Sequence, residues 1–172
     1  TGDGIKAAGV GNLAISDVTS SNNTARGLDV TSSGSLSLTR VTAQGNGAEA
    51  IAAADVGDVM LDVVVTDGDI SITTASQITV TGTVDSHSGA VTLESTDDIQ
   101  INSAVTTDGG VATVKADNDL LFGAAGSLST TDATVILVAD ADGNADGSGG
   151  TLAMSDGSLV NSGSDTIKLG AD

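Results

Sequence analysis

GDISITTASQITVTGTVDSHS (68–88), GAVTLESTDDIQINSAVTTDG (89–109) and GVATVKADNDLLFGAAGSLST (110–130) are three successive stretches of equal length, and they share one apolar pattern. Ile70 and Ile72 return as Val91 and Leu93, then as Ala112 and Val114. A second pair returns as Ile78/Val80, Ile99/Ile101 and Leu120/Phe122, and Val84 returns as Val105. A fixed period held in several registers at once marks a repeat architecture, in which each repeat is one supersecondary unit. Inside each unit the apolar residues alternate with polar ones over three to five positions, which is the period of a strand with one buried face.

The pattern extends in both directions. In the first third the period is 23: Leu13, Ile15 and Val18 recur as Leu36, Leu38 and Val41, Leu28 recurs as Ile51, and Asn23 as Asn46. A longer step leads to Leu61 and Val63. After Phe122 the spacing loosens. Val135 and Leu137 open another rung, a Gly/Asp-rich insertion follows at 140–150, and Leu152, Leu159, Ile167 and Leu169 resume the apolar spacing. Helical spacing is nearly absent; only Ala48 to Ala54 has the composition of a short helical turn.

Short β-branched strands recurring with a period of 21 to 23 predict an all-β chain wound as a parallel β-helix, or β-solenoid. Equivalent strands of successive coils then pair about 4.8 Å apart and identical positions stack, so Asn23 over Asn46 is expected to form a side-chain ladder. An antiparallel sandwich also brings strands round at short intervals, but has no reason to hold one period through three registers. The length predicts roughly eight such coils in a single domain over 1–172. The stretch 1–67 forms coils with a period near 23, 68–132 coils with a period of 21, and 133–172 irregular coils around the insertion. No coil buries its apolar face alone, so stability must come from stacking.

Composition agrees. Hydrophobic residues make up 39% of the chain, yet Phe122 is the one aromatic residue, so the core must be thin and built from Val, Ile, Leu and Ala. Gly is abundant at 23 and Pro is absent; the expected use of that glycine is the positive-φ corner of tight turns. The net charge of −18 excludes nucleic acid, which needs a basic footprint, and opposes anionic membranes. No apolar run is long enough to insert in a membrane. The absence of Cys rules out thiol catalysis and Cys-based metal sites. The acidic residues are nearly all Asp, as expected of solvated turns. Asn22-Asn23-Thr24 is a glycosylation sequon where the host has the machinery.

Residues 89–101 and 110–122 resemble the repeats of filamentous-haemagglutinin-type exoproteins, and Ser21 to Val30 is similar to the general right-handed parallel β-helix repeat. The resemblance implies a right-handed shaft on the outside of a bacterial cell, extracellular or surface-bound, serving adhesion, biofilm or contact functions. The sequence names no cell-surface or matrix ligand. Both ends of such a stack expose unpaired strand edges, which makes end-to-end self-association into fibres an expected partnership.

Chemistry is sparse. Asp140-Ala-Asp142-Gly-Asn144-Ala-Asp146-Gly147 carries alternate oxygen ligands, and from Asp142 it reads like the opening of a calcium loop. Asp140, Asp142, Asn144 and Asp146 are therefore the candidate Ca²⁺ ligands. The twelfth position is Ala153, so the bidentate Glu is missing, and a plain acidic turn explains the same residues. His87, the only histidine, lies in a Ser-His-Ser turn with no partnered constellation around it. The chain is expected to be structural and not an enzyme. A calcium-dependent adhesion module is the alternative, and a polysaccharide-acting β-helix enzyme a more remote one. Ser71, Thr92 and Thr113 should form an outward hydroxyl column, but its neighbour Thr79, Gln100, Leu121 is too irregular for an ice-binding face.

Overall fold

A computed structural model describes residues 2–142 and 150–170. Its strands are β1 (Ile5–Ala8), β2 (Leu13–Ser21), β3 (Leu28–Thr31), β4 (Leu36–Gln44), β5 (Ile51–Ala54), β6 (Val59–Thr66), β7 (Ile70–Ala75), β8 (Ile78–Val80), β9 (Val84–Ser86) and β10 (Val91–Ser95). They continue with β11 (Ile99–Ile101), β12 (Ala104–Thr107), β13 (Ala112–Ala116), β14 (Leu120–Phe122), β15 (Ser127–Thr130), β16 (Val135–Ala139), β17 (Leu152–Met154), β18 (Leu159–Asn161) and β19 (Ile167–Gly170). Among the described residues there is no helix, and Ala48 to Ala54 resolves into a turn and β5.

All strand pairs are parallel. One sheet stacks eight strands in the order β1-β3-β5-β7-β10-β13-β16-β19. The other has eleven strands. It begins with the long strands β2, β4 and β6; above β6 it divides, because β8 and β9 both pair with β6. From there each turn has three strands. The chain is thus a parallel β-solenoid of about six turns, slightly fewer than the eight expected from length. Dividing the length counts the insertion as if it were stacked coil. The actual steps are unequal: the step from Ile51 to Ile70 is the short one, and the step from Val135 to Ile167 spans the insertion and is the long one.

Side chains at equal register form inward columns, five of which are built almost wholly of apolar residues. On the first sheet Ile51, Ile70, Val91, Ala112 and Val135 make one, and Ala53, Ile72, Leu93, Val114 and Leu137 a second. On the other sheet the columns run through Leu36, Val59, Ile78, Ile99 and Leu120, through Leu38, Leu61, Val80, Ile101 and Phe122, and through Val41, Val64, Val84, Val105 and Leu128. These columns are almost wholly buried and form one contiguous core. Each side chain packs on its counterparts in the turns above and below, so small aliphatic residues fill the columns with Phe122 as the one aromatic among them.

The expected step to Leu61 and Val63 has a different register. Val59, Leu61 and Val64 face inward and repeat Leu36, Leu38 and Val41 at the same period that relates β2 to β4; the irregular step is the shorter one that follows. Val63 points outward, 40% exposed, at φ 56°. It is the third member of a left-handed corner that recurs once in each of the first turns, after Asp17 at φ 55° and Arg40 at φ 51°. The three residues stack with no shift of register between the long strands, at the place where later turns break into two. Left-handed backbone costs a non-glycine residue about 1–2 kcal/mol, and a β-branched one has least tolerance for it. Val63→Asn is therefore expected to raise stability by about 1 kcal/mol, read as a higher urea midpoint at unchanged slope. A lower midpoint would mean that Val63 makes a contact worth more than the strain.

The repeat-opening glycines also differ from expectation. Gly89 and Gly110 do not take positive φ. A Cβ on Gly110 would run into the Gly89 carbonyl, and one on Gly89 into the Gly68–Asp69 peptide. They are glycine because successive turns touch backbone to backbone at this corner. Many left-handed positions are held by other residues, among them Asn22, Ser32, Asp55, Thr74 and Asp140.

Candidate functional site

The acidic corner where the first sheet passes to the second is the place the sequence marks for chemistry. It stacks Asp97-Asp98, then Asp117-Asn118-Asp119, then Asp140 to Asp142. Asn118 Nδ2 donates to Asp98 Oδ1 at 2.7 Å and to Asp97 Oδ1 at 3.3 Å. The Asp119 amide donates to Asp98 Oδ1 at 3.1 Å, and the Thr151 amide to Asp119 Oδ1 at 3.0 Å. Asp140 sits at φ 62°, with its amide donating to the Asn118 carbonyl at 3.3 Å. Asp117 is pushed above the usual carboxylate range, first by burial and then by the charge of Asp142. Asp140 and Asp142 are thus placed at the base of the insertion, while Asn144 and Asp146 lie outside the described residues. Among the described residues no group of three or more acidic or histidine side chains stands close enough to hold a metal ion. A shallow cleft of about 200 Å³ beside this corner is lined by Glu94, Thr96, Lys115 and Asp117.

The turn aspartates do more than face solvent. Asp3 accepts from the Arg26 amide at 3.1 Å, Asp67 from Gly45 at 2.9 Å, Asp69 from Ala90 at 2.8 Å and Asp132 from Ser164 at 2.9 Å. With Asp98 and Asp119 they staple a corner of one turn to the backbone of the next. Asp has the reach for this without a flexible stem, which is a second reason for its excess over Glu. The Ser164 amide and hydroxyl hold Asp132 below the usual carboxylate range.

A buried hydroxyl column escapes the sequence reading. Thr66, Ser86, Thr107 and Thr130 sit in register at the end of the second sheet, each almost fully buried. Ser86 Oγ donates to the carbonyls of Gly68 and Gly89, both at 3.0 Å, and Thr107 Oγ1 donates to the Gly89 carbonyl at 2.6 Å. The Gly89 and Gly110 amides donate back to these hydroxyls at 3.1 and 3.2 Å. The signal is present, as a hydroxyl residue standing two or three positions before the next glycine or aspartate. The expected Asn ladder is formed: Asn23 Nδ2 donates to Asn46 Oδ1 at 2.9 Å.

The charged residues at the amino-terminal end form ion pairs. Asp29, with a side chain only 4% exposed, accepts from Lys6 at 2.6 Å and from Arg26 at 2.9 Å, and Arg26 also reaches Glu49 at 3.0 Å. Arg40 grips Asp17 with two bonds of 2.6 Å. Both arginines are therefore held by carboxylates. His87 Nδ1 lies 3.1 Å from the Thr66 carbonyl oxygen and 3.8 Å from Asp85, a contact between turns. Ser71, Thr92 and Thr113 do stack outward, but the column ends on Ala52 and Ile136.

The hydrogen bond from Lys6, with the charges of Lys6 and Arg26 behind it, lowers the pKa of Asp29. A carboxylate with a depressed folded pKa stabilises the fold above its unfolded value near 4, and that contribution is lost as pH falls through the folded value. Acid should therefore loosen the first turns before the centre. Amide exchange at β1 and β3 is expected to rise below about pH 4 in the native chain, and Asp29→Asn to show raised exchange there already at neutral pH. Uniform protection from end to end at low pH would contradict this.

No family model, curated protein or solved structure matches the chain. What it does is therefore read from its own residues.

Proposed function

We propose that the chain is a structural shaft segment of a secreted or cell-surface bacterial protein, serving adhesion, biofilm or extracellular fibre assembly. The observation that carries this reading is the uninterrupted stack. Parallel ladders and five apolar columns run from one end to the other, and several turn aspartates and buried hydroxyls join one turn to the next. Such a body transmits force along its axis and holds what it carries away from a surface. The likeness of residues 89–101 and 110–122 to filamentous-haemagglutinin-type repeats supports an extracellular, surface-bound setting. Growth into a fibre runs through the end faces, where either a second copy or an unlike turn stacks.

A calcium-dependent adhesion module is the second reading. It is favoured by the crowding of negative charge at the base of the insertion, where burial and, after it, the charge of Asp142 raise the pKa of Asp117. Sedimentation velocity in millimolar calcium and in chelator separates the two. The shaft reading expects the same elongated species in both. A calcium-dependent change that Asp142→Ala removes would instead make the insertion a working site. The shaft reading also expects no release of oligosaccharides from pectin, alginate or similar anionic glycans; measurable depolymerisation would replace it with an enzymatic one.

A further inference from the structure

Asn46-Gly47 is the one Asn-Gly pair in the chain, and it lies at the corner between β4 and β5, with Asn46 half-buried and Gly47 exposed. Such a pair carries its own reaction. The glycine nitrogen attacks Cγ of the asparagine, because no Cβ on the glycine stands in the way. A C–N bond forms, the bond from Cγ to Nδ2 breaks, and ammonia leaves with the glycine amide proton. Water then opens the five-membered imide at either carbonyl. The product is aspartate, or isoaspartate with the main chain routed through the side chain. One water is consumed for each ammonia released. In the fold both reacting groups are tied. Asn46 Oδ1 accepts from Asn23 Nδ2 at 2.9 Å and from the Asn23 amide at 3.2 Å, and Asn46 Nδ2 donates to the Ser20 carbonyl at 3.2 Å. The Gly47 amide donates to the carbonyls of Asn23 at 2.9 Å and Ala25 at 3.0 Å. Two donors on Oδ1 polarise the side-chain amide for attack, but the nucleophile is turned to the neighbouring turn and keeps its proton there. All these partners belong to residues 20–25, at the end of β2 and the corner after it, so the reaction waits on the parting of two stacked corners.

We propose that Asn46-Gly47 is a self-modifying site, shut by the asparagine ladder and opened when the corners at 20–25 and 46–47 part, whereupon Asn46 converts to aspartate or isoaspartate by reaction with water. Either product loses the Nδ2 donor to the Ser20 carbonyl. Isoaspartate also lengthens the main chain by one carbon and carries Gly47 away from the Asn23 and Ala25 carbonyls. Gly47 has no room for that shift, because its Cα already packs so closely on the Thr24 carbonyl that a Cβ would run into it. The parted joint therefore does not close as before, and the chain keeps one added negative charge as the mark of its opening.

Conversion is followed in warm, mildly alkaline buffer by ion-exchange chromatography, with peptide mapping to place it at residue 46. The native chain should convert at least about 100-fold more slowly than the same chain unfolded in urea, because only the opened corner reacts. Asn23→Ala removes the ladder donor and should speed conversion at residue 46 about 5-fold over the native chain, the ratio expected for one lost hydrogen bond. Asn23→Asp, of the same size and without the donor, serves in its place if circular dichroism shows the alanine protein unfolded. Asn118→Ala is the control. It removes the side-chain bridge to Asp97 and Asp98 at a distant corner and should leave the rate at residue 46 unchanged, which separates the ladder from general loosening. Conversion of the folded native chain as fast as the unfolded one, no acceleration by loss of the Asn23 donor, or equal acceleration by Asn118→Ala each overturns the proposal. Any of these leaves the shaft reading standing, because that reading is judged by the elongated species and the absence of depolymerisation.

Discussion

Leu93→Ala is expected to destabilise the solenoid by about 2–5 kcal/mol, the range for deleting most of a fully buried leucine. Leu93 has no exposed surface and packs in its column between Ile72 below and Val114 above. Its position near mid-stack matters. The turns on either side are held by backbone ladders and cannot close on the void without shearing those ladders. Collapse is therefore poor, and the cost should fall in the upper part of the range. Chemical denaturation measures it directly. Leu169→Ala is the matched control, since Leu169 occupies the same column at the end of the stack and is 64% exposed. Its cost should be under about 1 kcal/mol, because little surface is withdrawn from water there. Equal costs at the two sites would mean that the column is not a continuous core.

Gly110→Ala is expected to cost on the order of 3 kcal/mol although it adds a single methyl group. The new Cβ would overlap the backbone of Gly89 in the turn below, and no side-chain rotation relieves a clash with backbone. The corner is also the one closed by Thr107, whose hydroxyl bridges the carbonyl of Gly89 and the amide of Gly110. Prising the turns apart there leaves buried polar groups unpaired, which adds to the cost. Gly109→Ala serves as the contrast. Gly109 has φ 88° and nothing within 4 Å of a Cβ, so its penalty is conformational strain alone. The two neighbours thus separate the two physical reasons for glycine. A Gly110→Ala protein as stable as its parent would mean that the turns do not approach as closely as described.

The fold is legible because the solenoid writes its geometry into the sequence as a period. Ile70, Val91 and Ala112 share a column because they share a place in the repeat, and no distant pairing has to be guessed. What misleads is local. Val63 reads as an inward residue by alternation, and only the recurrence of a left-handed corner at Asp17 and Arg40 shows that the alternation slips by one before Val64. Alternation cannot register such a corner. The turn count comes out too high because length does not distinguish stacked residues from the insertion. The acidic corners read as solvated, because which amide a carboxylate reaches depends on the neighbouring turn and not on its own segment. Of the proposed calcium ligands, Asp140 and Asp142 lie where the repeat places them, at the corner above Asp117 and Asn118. Their neighbours Asn144 and Asp146 interrupt the repeat, and periodicity carries no information there.

The central claim is that the chain rises by one strand spacing per turn. The chain has no cysteine, so pairs of spin labels can be placed without background. Ala52, Ser71, Thr92, Thr113, Ile136 and Lys168 occupy one outward column. With one label at Ala52 and the second at Thr113, Ile136 or Lys168, pulsed dipolar spectroscopy should give about 14, 19 and 24 Å, equal steps of about 4.8 Å. Distances that fail to rise in equal steps, or that fold back as in a sandwich, would contradict the solenoid and every functional reading built on it.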